Sequence, residues 1–473
     1  MRRTHLGARG AGGARTALPS LTPLWGLPWG LPWGLLCALL CAPLCALLCA
    51  PAARATPRMS LTAGTPCVGC HFSPNGGGGR TELGWGAMSK VGALTYDQLA
   101  LAPLHAQESN TLLDGQLSVG FDARLQWARL GGPEYGPTGA VVYPDLTMIP
   151  MQLQPYLAVK PTHDLTLYGS FQPGSGLRDG DPLTQVYPGM SAFEAWGMYS
   201  LGGDKPYVRV GLFQPTFGVR EDDHTILVRG DAANRRAPVI PPNFRELGVE
   251  VGYQPRRWLR AEVGVFDVHH LNESLNREGT PQLPGVLRNS NALWPVAAVA
   301  RVTALPQFTF GGAAAPKAAD EFADDFADDF GAPSAPAAPP APPVTLNAWV
   351  GGSAYASGDF LMLNGFAGAG LSGGLSVVAE AMWSKRTIMY RQLNTHFGLK
   401  YALRDWAVLG GRVERAQTHS TTTLLDEVAV TWQYVAGVEL FVLPYLEVRP
   451  EYRLVDNFDH RFGQATVQVH LFY

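Results

Sequence analysis

The sequence predicts a mostly β protein, about sixteen antiparallel strands closed into a barrel behind a small cysteine-bearing segment. Three observations predict it. Apolar and polar residues alternate strictly over stretches of ten residues and more, the connections between stretches are short and long in turn, and the stretches come in an even number.

The alternation is clearest at the first and last stretches. In "GQLSVGFDARLQWA" one face carries Leu117, Val119, Phe121, Ala123, Leu125 and Trp127, and the other Gln116, Ser118, Gly120, Asp122, Arg124 and Gln126. A period of two puts successive side chains on opposite faces of a strand, and the run exceeds the roughly five or six residues of an ordinary globular strand. The last stretch sets Ala465, Val467, Val469, Leu471 and the terminal aromatic Tyr473 against Gln464, Thr466, Gln468 and His470.

Sixteen such stretches fall near 113–130, 147–160, 163–172, 191–201, 206–214, 245–254, 257–268, 292–304, 344–357, 359–370, 373–386, 391–402, 405–418, 427–441, 444–455 and 463–473. After most even-numbered strands the connection is a tight turn: "PT" at 161–162, "GGDK" at 202–205, "PR" at 255–256, "RD" at 404–405, "LP" at 443–444. After most odd-numbered strands it is longer, the longest running from 215 to 244. Short turns on one side and long loops on the other are the pattern of an outer-membrane β-barrel.

A water-soluble sandwich or propeller is the competing reading, but its strands are shorter and its apolar face need not be continuous. A strand in lipid has no such freedom, because each backbone N–H and C=O there must pair with a neighbouring strand. Trp127, Tyr156, Tyr168, Trp196, Trp258, Trp349, Trp383, Trp406, Tyr445 and Tyr473 lie near strand ends, where aromatic girdles would sit at the two membrane interfaces.

Residues 1–55 read as a signal peptide: arginines at 2, 3, 9 and 15, an apolar run over 35–50, and the small-x-small Ala53-Arg54-Ala55. A retained span is disfavoured because the run is short and broken by Pro43, and a lipoprotein reading at Cys49 meets Leu48 where a small residue belongs. These residues hold five of the 36 basic residues and none of the 39 acidic ones, so the remainder keeps 31 basic residues and a formal charge of −8. No basic patch is present to neutralise phosphates, which excludes a nucleic-acid partner. Residues 311–343, rich in Ala, Pro and Asp, have no packable pattern and read as a disordered insert where a short turn is due. A cation site on "EFADDFADDF" competes there with a solvated linker.

Four of the six cysteines lie in the signal, which leaves Cys67 and Cys70 in "TPCVGCHFSPNGGGGR". A disulfide across so short a span would restrict the unfolded chain little. Cys67-Val68-Gly69-Cys70-His71 has the spacing of c-type haem attachment: two thiols for two vinyl groups, and the next histidine as proximal iron ligand. A thioredoxin-like pair would need a βαβ setting, and a zinc site a second ligand pair. Residues 56–111 are then a small monohaem segment, with short helices in "TELGWGAMSKVG" and "TYDQLALAPLHAQ", too small to bury a good core unaided. Met59, Met88 and His105 are the candidates for a second axial ligand, and Gly76–Gly79 form a loop that lets backbone approach the haem edge.

A signal peptide, one Cys67-x-x-Cys70-His71 motif and a barrel at 112–473 ending on an aromatic strand together resemble the fused outer-membrane cytochrome–porins, whose members include iron oxidases. The resemblance implies a haem segment plugging the barrel, with Cys67 and Cys70 holding one haem c and His71 ligating its iron. It implies electron transfer across the outer membrane, from an extracellular donor such as Fe(II) to a periplasmic cytochrome. The acidic insert and the "SPNGGGGR" flank depart from the iron-oxidising members, which puts the donor in question. Two other readings stay open. One is a solute porin with a gating or sensing haem. The other is a peroxidase-like enzyme using an open iron site; His224, Asp222, Asp223, Arg220 and Arg229 of the long 215–244 loop could bind metal or substrate at the extracellular mouth, against the simpler reading of a solvated charged loop.

Overall fold

The computed structural model describes residues 57–473 except 102–108, 130–133, 136–140, 143–145, 173–191, 203–205, 222–225, 230–239, 241–243, 276–292, 311–342, 388–389, 422–425 and 458–460. The signal peptide, His105, His224, Asp222, Asp223 and all but the last residue of the 311–343 insert therefore lie outside the described residues.

Sixteen staves follow the chain. The first eight are β1 (Leu117–Arg129), β2 (Leu146–Val159), β3 (Leu165–Phe171), β4 (Phe193–Ser200), β5 (Tyr207–Phe213), β6 (Glu246–Arg256), β7 (Leu259–Phe266) and β8 (Ala297–Ala304, resumed at Gln307–Phe310). The second eight are β9 (Val344–Ser357), β10 (Phe360–Leu371), β11 (Leu375–Thr387), β12 (Tyr390–Arg404), β13 (Ala407–Thr421), β14 (Asp426–Leu443), β15 (Leu446–Asp456) and β16 (Arg461–Phe472). Each pairs antiparallel with the next, and β1 returns to β16 from Asp122↔Phe472 to Arg129↔Ala465, which closes the barrel. No helix among the described residues is long and apolar enough to cross a membrane.

The phase of the alternation decides what faces out. Leu153, Leu157, Val249, Val263, Val350, Leu363 and Phe397 are exposed around the outer wall, while their strand neighbours Gln154, Glu250, Glu262, Asn364 and His396 are buried inside. A belt of exposed apolar side chains over a polar lumen is the inverse of a water-soluble barrel and is an outer-membrane-type surface. The loop asymmetry holds for the first half only: from β9 onward both rims have short connections, such as Gly358-Asp359 between β9 and β10.

Several expected girdle aromatics face inward instead. Tyr156, Tyr168, Trp196, Trp349 and Tyr445 are buried, whereas Trp258 and Trp406 are exposed. The reason is register. Tyr168 shares its phase with Thr166 and Ser170, and Trp349 with Asn347 and Ser353, so both fall on the lumen side.

The lumen is filled from two sources. Residues 57–91 pack into it, beginning with α1 (Pro57–Ala63): Asn347 donates to the Leu61 carbonyl at 2.8 Å, Arg209 to Ser73 at 3.3 Å and the Gly79 N–H to Tyr168 at 3.0 Å. At the short-turn rim the Ala93 and Leu94 N–H groups bond the carbonyls of Phe441 and Val442 at 2.8 and 3.0 Å. Tyr445 stacks there on Trp85, ring centroids 5.0 Å apart. The second helix expected from "TYDQLALAPLHAQ" is only a single 3₁₀ turn at Asp97–Leu99 among the described residues.

The second filler is the loop after β5. Its described residues 214–221 and 226–229 fold into the lumen rather than standing in solvent. Val219 and Leu227 donate backbone N–H groups to Glu380 and Glu414 at 3.1 and 2.7 Å on β11 and β13. Phe217, Ile226, Leu227 and Val228 are apolar and buried, which explains why the segment is drawn inside despite its charges.

Placing a charge on the outer wall should therefore cost what lipid exacts. Val263→Arg, at a site 57% exposed near the middle of β7, should lose about 2–4 kcal/mol. Urea titration of barrel folded into lipid vesicles measures it, and wild-type stability would contradict a lipid-facing Val263.

Candidate functional site

The Cys-x-x-Cys-His stretch forms one turn of helix, α2 (Cys67–Cys70), after which the chain straightens. The His71 N–H bonds the Cys67 carbonyl at 2.9 Å, and His71 itself is extended at φ −126°. The chain then doubles back. His71 bridges to Arg80, Phe72 N–H bonds the Gly79 carbonyl at 3.1 Å and Thr81 N–H the Cys70 carbonyl at 3.1 Å. Thr81 also caps α3 (Glu82–Gly86) by accepting from the Gly84 N–H at 3.2 Å, which packs that helix against the cysteine turn. A side chain at Gly84 would strike the backbone of Cys70.

The glycine run has a specific task. Gly76, Gly77 and Gly78 adopt φ of +81°, +69° and +62° in succession, a left-handed stretch that side chains resist. The turn brings Gly76 beside Cys67 and His71, and sets Gly77 against the guanidinium of Arg220 from the lumen loop.

Cys67, Cys70 and His71 line a cavity of about 310 Å³ in the lumen. On one side stands the 67–77 turn, gripped by Arg260 of β7 on the Pro74 carbonyl (2.8 Å) and Arg301 of β8 on Asn75 (3.3 Å). Across from it the cavity reaches the inner faces of β11 to β16, and Arg220 and Glu221 also border it. Of the expected second ligands, Met59 and Met88 both line this cavity, so the structure brings them together with His71.

Two lumen histidines that were not among the expected site residues also line the cavity, His396 and His470; His470 stood on the polar phase of the last stretch, which was the available signal, and His396 stands on the same phase of β12. His470 is engaged at both nitrogens, with Asp122 at 2.9 Å and Glu447 at 3.1 Å, whereas His396 has Nδ1 turned to Glu414 at 3.5 Å. Arg220 and Glu221 border the cavity and Arg229 is buried, while their expected companions in the 215–244 loop lie outside the described residues.

Leu83 on α3 lines the cavity while remaining 60% exposed, apolar surface that a flat apolar ligand would cover. Two thiols at helical spacing, a following histidine, uncovered leucine surface and lumen cations are the residue types that a c-type haem needs, so the residues present fit that group.

No protein-family model matches the chain, and no curated protein does. Solved structures do. The outer-membrane channel DcaP of Acinetobacter baumannii is 10% identical, covering 77% of this chain and 99% of its own, at a TM-score of 0.44. The anion-selective porin from Comamonas acidovorans is 9% identical over 76% of this chain and 99% of its own, also at 0.44. OmpT of Vibrio cholerae is 10% identical over 76% and 99%, at 0.41. At such identities the likeness is one of fold.

The glycine turn yields a test that does not depend on any ligand. Gly77→Val should strain the turn by about 1–2 kcal/mol and speed protease cleavage within 72–81 of the folded barrel by roughly tenfold. Gly86→Ala, where an added Cβ meets nothing within 4 Å, should leave cleavage unchanged. Equal rates for both would remove the constraint assigned to Gly77.

Proposed function

We propose that the chain is an outer-membrane barrel that carries one c-type haem in its lumen and passes electrons between the two sides of the membrane. The observation that carries this is the placement of Cys67, Cys70 and His71 on a lumen cavity bordered by uncovered leucine surface and by arginines. Cys67 and Cys70 would hold the macrocycle covalently and His71 would ligate its iron, with Met59 and Met88 lining the same cavity. When bound, a c-type haem supplies one-electron exchange at its iron.

The rest is supplied by the protein. Thr81 and Gly84 fix the cysteine turn, Leu83 offers apolar surface, and the inward loop residues 214–221 and 226–229 restrict water from the long-loop side. A bilayer core of about 30 Å insulates the two compartments, so a centre held inside the wall has a purpose that passive diffusion does not need. The donor would be an extracellular one-electron reductant such as Fe(II), oxidised to Fe(III), and the acceptor a periplasmic electron carrier. Protein made with the c-type maturation machinery should show a haem-stained band in denaturing gels and a reduced-minus-oxidised c-type spectrum. Cys70→Ser should lower covalent haem at least tenfold while the barrel keeps its folded mobility. A wild-type barrel without covalent haem would end the proposal.

A solute porin whose haem segment gates or senses is the second reading, and it is the one in keeping with the names of the solved structures of similar fold. Against a wide pore stand the two segments that pack into the lumen, 57–91 and the loop residues 214–221 and 226–229. Wild-type protein in planar bilayers should therefore show little conductance, and removing 57–101 should raise it severalfold. A large, steady wild-type conductance indifferent to redox state would favour the porin reading.

A further inference from the structure

The belt of exposed apolar residues does not meet the long-loop rim alike all the way round. Around β3, β4, β6 and β7 it stays apolar to the edge: the rings of Phe171 and Phe193 are 4.9 Å apart, and Leu247 and Val265 are exposed. Where β11 hands over to β12 it turns basic. The register sets Lys385 directly opposite Arg391, and Arg391 opposite His419 of β13. All three stand on the outward phase, because their neighbours Ser384, Gln392 and Thr418 are buried on the lumen side. There a ladder of side chains pins the register: the Ser384 hydroxyl donates to Gln392 at 3.1 Å and the Gln392 amide to Thr418 at 3.3 Å. What fixes the inner row fixes the outer one, with Cβ atoms of adjacent staves about 4.5–5.5 Å apart.

Like charges directly opposite each other on a sheet are destabilising, and this row contains no acid of its own. Asp359, in the turn between β9 and β10, forms no ion pair with Lys385 or Arg391. The connection between the two cations reads Arg-Thr-Ile-Met-Tyr over 386–390, again without an acid. Asp426 and Glu427 are set by the register opposite Thr421 and Ser420, on the far side of β13 from Arg391.

The height of the row is that of lipid headgroups. The exposed apolar residues of β12 run from Leu393 to Leu403, about 33 Å of strand and, at a tilt near 40°, about 25 Å of membrane normal, which is the height of a barrel's apolar band. Arg391, the next outward position beyond Leu393, therefore emerges at the edge of that band. Further down β13 on the same face, Arg415 lies 5.6 Å from the Trp432 ring, and Trp432 stacks on Tyr434 with centroids 6.2 Å apart. Both rings are exposed, as interfacial aromatics are.

We infer that the outward face of β11 to β13 at this rim binds the phosphate of an outer-leaflet lipid. The Arg391 guanidinium offers a planar fork for two phosphate oxygens and Lys385 a point charge beside it, while the acyl chains lie along the apolar wall below. The occupant is a lipid rather than a free phosphate because the cations stand directly on a lipid-facing surface. The site requires the barrel alone and is independent of the haem.

The test uses the full-length barrel folded in non-ionic detergent and titrated calorimetrically with bisphosphorylated lipid A. The wild type should bind, and Lys385→Gln/Arg391→Gln should bind at least tenfold more weakly, as expected for removing two cations from an anionic headgroup. Lys385→Arg, which keeps the charge, should stay within about twofold of wild type. Arg461→Gln, exposed on β16 beside Asp456, is the control for charge loss elsewhere on the rim and should also bind as wild type does. Lipid A stripped of its phosphates should bind the wild type no better than the intact lipid binds the double variant. Neither side chain contributes to the lumen, and heat-modifiable gel mobility verifies that each variant is folded.

A folded double glutamine variant that binds as tightly as wild type overturns the assignment. So does equal binding of the phosphate-free lipid. If millimolar inorganic phosphate displaces lipid A from the wild type, the cations serve a free anion and the lipid assignment fails.

Discussion

Everything in this fold follows from the rule that backbone polar groups in lipid must find partners on a neighbouring strand. The pairing of β1 with β16 removes the last open edge. Once the ring is shut, the period of two leaves no choice of face: every second residue looks into lipid and the rest into the lumen. Sixteen staves enclose more space than side chains alone can fill, so the polar inner face needs contents. Residues 57–101 and the loop after β5 provide them, and their contacts are made with the side chains that the alternation turns inward.

The contents are held largely by charge and amide groups rather than by a conventional core. Asn75 bonds Thr216, Thr216 bonds Glu250, and Glu250 pairs with Arg209 at 2.8 Å, so one network ties the cysteine-bearing segment, the lumen loop and two staves. Apolar packing falls into separate clusters. One, around Phe217, Tyr355, Phe360 and Met382, lies on the lumen-loop side, and another, around Trp85, Tyr445 and Phe472, closes the short-turn rim. Between them lies the cavity of Cys67, Cys70 and His71.

The strands were legible because their pattern is local: a run such as Leu117 to Trp127 announces its period without any partner. The lumen was less so. Tyr156, Tyr168 and Trp196 were expected in the membrane girdles from their position along the chain, yet phase rather than position decides, and polar neighbours such as Gln154, Thr166 and Glu194 carried that information. The inward turn of 214–221 and 226–229 was hidden for another reason. Its partners Glu380 and Glu414 lie more than 150 residues away, and nothing near Val219 or Leu227 foretells them. The cysteine motif could be read because its three residues lie within five positions, whereas Met59, Met88, His396 and His470 converge on it only after the barrel is closed.

The Ala93 and Leu94 bonds to Phe441 and Val442 join the first described hundred residues to a turn near the other end of the chain. They bear on the order of assembly. The segment that fills the lumen precedes β1, while the turn it grips lies between β14 and β15, only two strands before the closing one. A ring that shut first would have to be threaded afterwards by a folded helix and loop. Gathering the early segment while β1 and β16 are still apart avoids this, and any covalent change to Cys67 or Cys70 would then belong to the unclosed chain, before insertion makes the interior hard to reach.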